Sequence, residues 1–199
     1  VVSSDDNTLT TGSVVGAAHV KNTHTVNATT ETSVADGATL LAGETEKTKG
    51  KYELSLDQAG KSSHDYRGGS IVIGSRNDAK LTGTTLVDVF GAAGYAGSEN
   101  NVTYTGKTNT TFGATAETAK GDIDVMAGRD SNGEMGTIEV RAHSDILNAT
   151  AIPISIKKDP VAKIDSKAKL DVRKAADMKS DRDIGLKSKA GNLVAALEK

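Results

Sequence analysis

Gly121-Asp-Ile-Asp-Val-Met-Ala-Gly-Arg-Asp130 and Gly136-Thr-Ile-Glu-Val-Arg-Ala-His-Ser-Asp145 each set a carboxylate between two aliphatics: Asp124 between Ile123 and Val125, Glu139 between Ile138 and Val140. A strand sends successive side chains to opposite faces, so this alternation buries the aliphatics and leaves the charges in water. Half-buried strands are the expectation at both places. Outward from this stretch the aliphatic-x-aliphatic pattern recurs at Leu54/Leu56, Ile71/Ile73, Val87/Val89, Val102/Tyr104, Ile152/Ile154, Leu170/Val172 and Ile184/Leu186, with 14 to 21 residues from one to the next. Ile164 and Met178 are weaker inward candidates within the gaps. Turn-forming Gly68-Gly69, Asn77-Asp78, Asn100-Asn101, Ser131-Asn132-Gly133 and Gly191-Asn192 separate the triplets. Evenly spaced short strands are expected, with aliphatics facing in.

Two architectures accommodate such strands, a parallel β-helix (β-solenoid) and an antiparallel β-sandwich. Hydrophobic residues make up 36% of the chain and aromatics 3%, with two Phe, four Tyr and no Trp. Sandwich and enzyme cores draw much of their buried area from large aromatics. A thin core lined by Val, Ile, Leu and Ala suits the solenoid better, so an all-β chain is expected, with the right-handed parallel β-helix ahead of the sandwich. The number of strands per coil stays open.

Three regions are expected within the 199 residues. Residues 1–51 read as an irregular Thr-rich β segment and 52–192 as the repeat region, with 103–120, rich in Thr and Gly, as a loop inserted between coils. Residues 193–199 read as a truncated end with aliphatics at helical spacing. Pro153 and Pro160 cannot donate to a ladder, so the stretch between them belongs at a sheet edge or kink.

The two stretches quoted above, together with Ser166-Lys-Ala-Lys-Leu-Asp-Val-Arg-Lys-Ala-Ala-Asp-Met-Lys-Ser-Asp-Arg-Asp-Ile-Gly-Leu-Lys-Ser-Lys-Ala-Gly191, resemble the repeats of filamentous-haemagglutinin-like bacterial adhesins, in particular the leukotoxin-type filamentous adhesins. The resemblance covers about Asn101 to Asn192. It implies a right-handed parallel β-helix, export by two-partner secretion through an outer-membrane pore, an extracellular or cell-surface location, and attachment to host cells or extracellular matrix. It carries over no catalytic residue. A chain without cysteine suits such export, because a closed disulfide loop would obstruct passage of an unfolded polypeptide. The opening Val1-Val2 reads as an excised or processed piece.

Formal net charge is -2, giving the whole chain no drive toward nucleic acid. Ala151 to Lys199 holds 12 Lys and Arg against 7 Asp and Glu, which leaves 12 against 19 for the rest. Solvated outward positions account for this pattern, and a basic face for acidic glycan or lipid is the sharper reading. No run reaches the roughly 18 apolar residues of a transmembrane segment.

His19, His24, His64 and His143 are the first place to seek a metal or base, but His19 and His24, five apart, fall on opposite strand faces and are not expected to share a site. His143-Ser144-Asp145 has triad residue types without a nucleophile elbow. Asp122 with Asp124, and Asp181 with Asp183, could serve a polysaccharide-acting β-helical enzyme, yet alternation points both pairs to solvent. Asp130-Ser131-Asn132-Gly133-Glu134 offers oxygen ligands but lacks the order of a calcium loop and reads as an Asx turn. The Asn-x-Thr sequons at Asn27, Asn101, Asn109 and Asn148 follow from abundant Thr, and Gly91 to Gly97 lacks the Lys of a phosphate loop and reads as a loop. No metal or cofactor is implied. A structural or adhesive segment without enzymatic activity is expected, with a β-helical polysaccharide enzyme or a leukotoxin segment as alternatives.

Overall fold

A computed structural model describes residues 2–43 and 69–198, so the Leu54/Leu56 triplet and His64 lie outside the described residues. Among these residues the chain is all strand, turn and bend, without helix: β1 (Val2–Gly12), β2 (Val15–Val34), β3 (Thr39–Ala42), β4 (Ile71–Ile73), β5 (Ala79–Phe112), β6 (Thr115–Thr118), β7 (Ile123–Ala127), β8 (Thr137–Lys157), β9 (Val161–Val172), β10 (Asp177–Ser180), β11 (Ile184–Ser188) and β12 (Asn192–Glu198). The aliphatics at helical spacing near the end therefore lie in a strand.

Every pairing between these strands is parallel, which sets the antiparallel sandwich aside. The first sheet holds β1, β2, β5, β8, β9 and β12, the second β3, β6 and β10, the third β4, β7 and β11. The chain visits them in the same order on each pass. β1 to β4 make the first pass, β5 to β7 the second, β8 to β11 the third, and β12 begins a fourth on β8. β5 sits in the middle: Val2 lies beside Lys80 and Val15 beside Ala93 on one side, Ala79 beside Ile138 and Asn101 beside Val161 on the other.

A straight strand of 34 residues would run about 110 Å at about 3.3 Å per residue. β5 instead folds back at Gly91. Its first arm, Ala79–Val89, faces its second, Gly94–Tyr104, through side chains rather than ladder bonds. Leu81 shares a core cluster with Val102 and Tyr104, the Thr85 and Ser98 hydroxyls meet at 2.8 Å, and Val89 packs with Ala96. Glycine makes the bend possible. Gly91 has φ +151°, and a Cβ there would fall 1.9 Å from the Ser13 carbonyl oxygen of the neighbouring pass. The bends stack, with Ser13 N–H donating to Phe90 O and Ala92 and Ala93 N–H to Val14 O.

This arrangement corrects four expectations. Val87/Val89 and Val102/Tyr104 belong to one bent strand, and so do Ile138/Val140 and Ile152/Ile154, so the triplets do not mark separate strands. Residues 103–120 are strand through Phe112 and again at Thr115–Thr118 rather than an inserted loop, and Gly91 to Gly97 is the bend and second arm of β5 rather than a loop. Thr-rich residues 2–34 and 39–42 join the same sheets as the rest. Pro153 lies in β8 beside Gly94 of β5, outside the span Thr137–His143 that pairs with β12.

The interior has two lobes. Between the arms lie Leu81, Val87, Val89, Val102, Tyr104, Ile138 and Val140, all fully buried. Beyond Phe112 the chain turns through β6 and β7 around Phe112, Ala114, Ala116, Ile123 and Val125. Burying each such aliphatic stabilises the fold by about 1.5–3 kcal/mol. Ile123, Val125, Ile138 and Val140 face inward while Asp124 and Glu139 remain partly exposed, as their alternation indicates.

Polar groups also occupy the interior, and stacked passes pair several of them. Thr85, Ser98 and Ser144 form a closed set of hydroxyl contacts at the centre of the arch. Asn100 Nδ2 donates to Gly83 O and to His143 O, each at 2.7 Å, and its Oδ1 accepts from Asn22 Nδ2 at 3.1 Å. One side chain thus ties together three passes and both arms.

Candidate functional site

Neighbouring positions on different passes meet in register, so each outer face is a grid of side chains. On the first arm, Thr82 stands beside Arg141 and Thr84 beside His143. A shallow depression lined by Lys80, Thr82, Thr84, Arg141 and His143 lies there. Arg141 pairs with Glu139. On the second arm, Thr103 stands between Thr25 and Lys163, and Asn109 between Glu31 and Lys169. A second depression there is lined in part by Asn109, Thr111, Lys169, Asp171 and Arg173.

The histidines do not converge. His19 is exposed on the second arm's outer face, where its ring lies over Gly97. His24 faces inward and its Nε2 contacts Ser3 Oγ at 3.0 Å. Opposite faces for this pair follow from their odd spacing. His143 faces the Thr84 depression, while its neighbour Ser144 is buried in the hydroxyl set, so His143, Ser144 and Asp145 do not come together as a triad.

Three of the four candidate carboxylates engage cations or backbone. Asp122 Oδ1 accepts from Asp183 N–H at 3.2 Å and lies 3.5 Å from Arg182 Nε, Asp124 pairs with Lys187 at 2.9 Å, and Asp181 accepts from Lys120 N–H at 3.4 Å. Stacking brings Asp122 and Asp183 together, since Ile123 and Ile184 are register partners. The arrangement presents ion pairs and backbone contacts on a partly solvated face.

Asp130 forms the Asx turn read from the sequence. Its Oδ1 accepts from Asn132 N–H at 2.9 Å and Glu134 N–H at 3.0 Å, and Gly133 takes φ +79°. Arg76 closes this turn, contacting Asp78 at 2.8 Å, Asp130 at 2.7 Å and Glu134 at 3.4 Å. Asp78 foremost, and Asp130 after it, push the Arg76 pKa above its ordinary value. Among the described residues no group of three or more His, Cys, Asp and Glu is placed to hold a metal ion. No helix of these residues is long and apolar enough to cross a membrane.

The sequence reading missed an outward apolar strip. Gly94, Ala96 and Ser98 face inward, so Ala93, Tyr95 and Gly97 face out, and their register partners Ile152, Ile154 and Ile156 face out with them. Ile152 and Ile154 are 65% and 56% exposed, contrary to the inward placement expected for that triplet. The reason is register: Pro153 and Ser155 take the positions beside Gly94 and Ala96, and a shift of one residue exchanges the faces. The odd step from Val89 to Gly94 across the bend had hidden this.

Beyond the strip, Glu99 lies between Lys158 Nζ at 2.7 Å and Lys21 Nζ at 3.7 Å. Hydrogen bonds from Lys158 and then Asn101 hold its carboxyl below the usual range.

No protein-family model matches the chain, and no curated protein or solved structure matches it.

Proposed function

We propose that this chain is a β-solenoid segment of a secreted bacterial surface protein of the filamentous-haemagglutinin-like kind, and that it attaches to host cells or matrix through many weak contacts. The observation that carries the reading is the repeated visit to three parallel sheets in one order, which repeats polar outer positions along a stack. In this reading the passes are coils of a right-handed β-helix, and the parent protein leaves the cell through a partner pore. The outer positions of β2, β5 and β9 form rows of Thr, Asn and Lys without a converging nucleophile, base and orienting group. Such rows offer broad solvated area, whose weak contacts multiply by avidity.

Beads coated with the purified chain at graded densities test this reading on epithelial cells and on immobilised matrix. Attachment rising with density above that of beads carrying an unrelated β-solenoid supports it. Attachment equal to that control at every density refutes it. Cleavage of a polysaccharide panel that depends on Asp122 or Asp183 would instead make the chain a β-helical enzyme.

A further inference from the structure

The three bends share a property that alternation does not require. Ser13–Val20, Val89–Ser98 and Ile146–Ile156 contain no Asp, Glu, Lys or Arg in a chain that is 25% charged. These segments stack on one another, Val15 beside Ala93 and Ala93 beside Ile152. Their apolar side chains stay in water: Val14 is 78% exposed and Val15 75%, with Ile152, Ile154 and Ile156 half-exposed or more. The outcome is an uncharged, convex ridge at the bends that continues onto the second arm as rows of Val15 and Ala17, Ala93 and Tyr95, and Ile152, Ile154 and Ile156. Monomeric proteins rarely leave such a contiguous apolar strip without a partner.

Charge separates the two arms. The first-arm segments (residues 2–12, 79–90 and 137–149) hold Lys80 and Arg141 against five carboxylates. The second-arm segments (residues 15–34, 93–112 and 152–172) hold seven Lys against five carboxylates. Glu99, one of those five, is already shared by Lys21 and Lys158. On the outer side of β9, just past the apolar strip, Lys163, Lys167 and Lys169 share a row with Asp165 and Asp171, which lie 3.8 Å from Lys167 and 3.9 Å from Lys169, while Lys163, and Lys107 of β5 beside Lys167, add positive charge.

We propose that the second-arm face is a docking surface for an anionic lipid bilayer, with the charge-free ridge entering the headgroup region and the lysine rows meeting the lipid phosphates. A convex ridge of branched aliphatics fits a fluid apolar layer, whereas a protein partner would need a matching groove. Tyr95, half-buried beside the isoleucines, has the amphipathic ring that settles at a membrane interface. Branched aliphatics offer sugars neither stacking nor hydrogen bonds, which favours lipid over an acidic glycan. Lysines near an anionic surface add attraction that salt weakens. The inference rests on the attachment reading, and names the chemistry of the partner.

Co-sedimentation of the purified chain with vesicles of phosphatidylcholine alone, or of phosphatidylcholine mixed with phosphatidylglycerol, tests it. The chain is expected to sediment with the mixed vesicles, less so at raised salt and little with phosphatidylcholine alone. Ile154→Asp should weaken this binding about tenfold or more, and Lys163→Glu with Lys167→Glu should abolish the preference for phosphatidylglycerol. Thr82→Asp, on the first arm's outer face beside Arg141 and away from the bends, should leave both unchanged. Thermal melting of each variant checks that it folds, and Ile152→Asp replaces Ile154→Asp if the latter does not.

No binding to either vesicle overturns the proposal, as does binding that Ile154→Asp leaves intact. Binding to heparin but not to vesicles makes the face a glycan site, and concentration-dependent dimers of the lipid-free chain that Ile154→Asp dissolves make its occupant a second copy. Attachment of coated beads to cells without vesicle binding ends the lipid proposal while leaving the attachment reading standing.

Discussion

Asn100→Ala should be among the most costly polar substitutions in the protein. The side chain is fully buried. It donates to Gly83 O and His143 O and accepts from Asn22. Each bond contributes about 1 kcal/mol net, and leaving carbonyls and the Asn22 amide without partners in a dry interior adds to the loss, so about 3–5 kcal/mol is expected. Asn148 provides the contrast. Its amide also makes three contacts, to Gly94 O, Ile154 O and Ser155 Oγ, but at the exposed bend, where water replaces them. Asn148→Ala should therefore cost under about 1 kcal/mol. Equilibrium urea unfolding reads both as shifts in midpoint at constant slope. A double-mutant cycle of Asn22→Ala and Asn100→Ala should show coupling of about 0.5–3 kcal/mol, because their amides share a bond. If Asn100→Ala costs no more than Asn148→Ala, the arms are not clamped as described.

Other expectations follow from the same geometry. Gly91→Ala should destabilise by about 2 kcal/mol or more, since its Cβ would strike Ser13 O, while Gly12→Ala, with open space around it, should be nearly neutral; thermal melts compare them. Val125→Asp should cost several kcal/mol, about 3 or more, by burying an unpaired charge, whereas Asp124→Ala loses only a partly exposed pair with Lys187 and should cost under about 1 kcal/mol. Tyr104 Oη is buried without a hydrogen-bond partner among the described residues, so Tyr104→Phe should raise stability by about 1 kcal/mol in denaturant titrations. Burial foremost, and Asp78 after it, raise the Tyr104 pKa, so the folded state favours the neutral phenol. That contribution is intact below the unfolded value of about 10 and lost as pH rises through the folded one, so wild type should lose stability above about pH 10 more steeply than Tyr104→Phe.

Much of the local structure was legible. Asp124 and Glu139, each between two aliphatics, announce strands, and in both cases the aliphatics are the buried pair. The long-range arrangement was not. Val2 pairs 78 residues on with Lys80, Ala79 59 residues on with Ile138, and Ile71 52 residues on with Ile123, so no fixed period marks a pass. Alternation alone did not mark Asn100, Thr85, Ser98 and Ser144 as interior, because their partners come from other passes or the facing arm. Asn100-Asn101 reads as a turn by composition, yet a register partner converts Asn100 into a ladder residue. Ile152 and Ile154 read as core for the opposite reason, since alternation alone does not say which face a strand presents after a bend.

The absence of native cysteine allows the stacking itself to be measured directly. Thr25, Thr103 and Lys163 stand in register on three successive passes. Neighbouring strands lie about 4.8 Å apart, within disulfide reach, and alternate strands about twice that. Oxidation of Thr25→Cys with Thr103→Cys, and of Thr103→Cys with Lys163→Cys, should form an intramolecular disulfide in nearly every folded molecule. Thr25→Cys with Lys163→Cys should form almost none. Equal cross-linking in all three double variants, or none in the two register pairs, would contradict the parallel stacking on which the account depends.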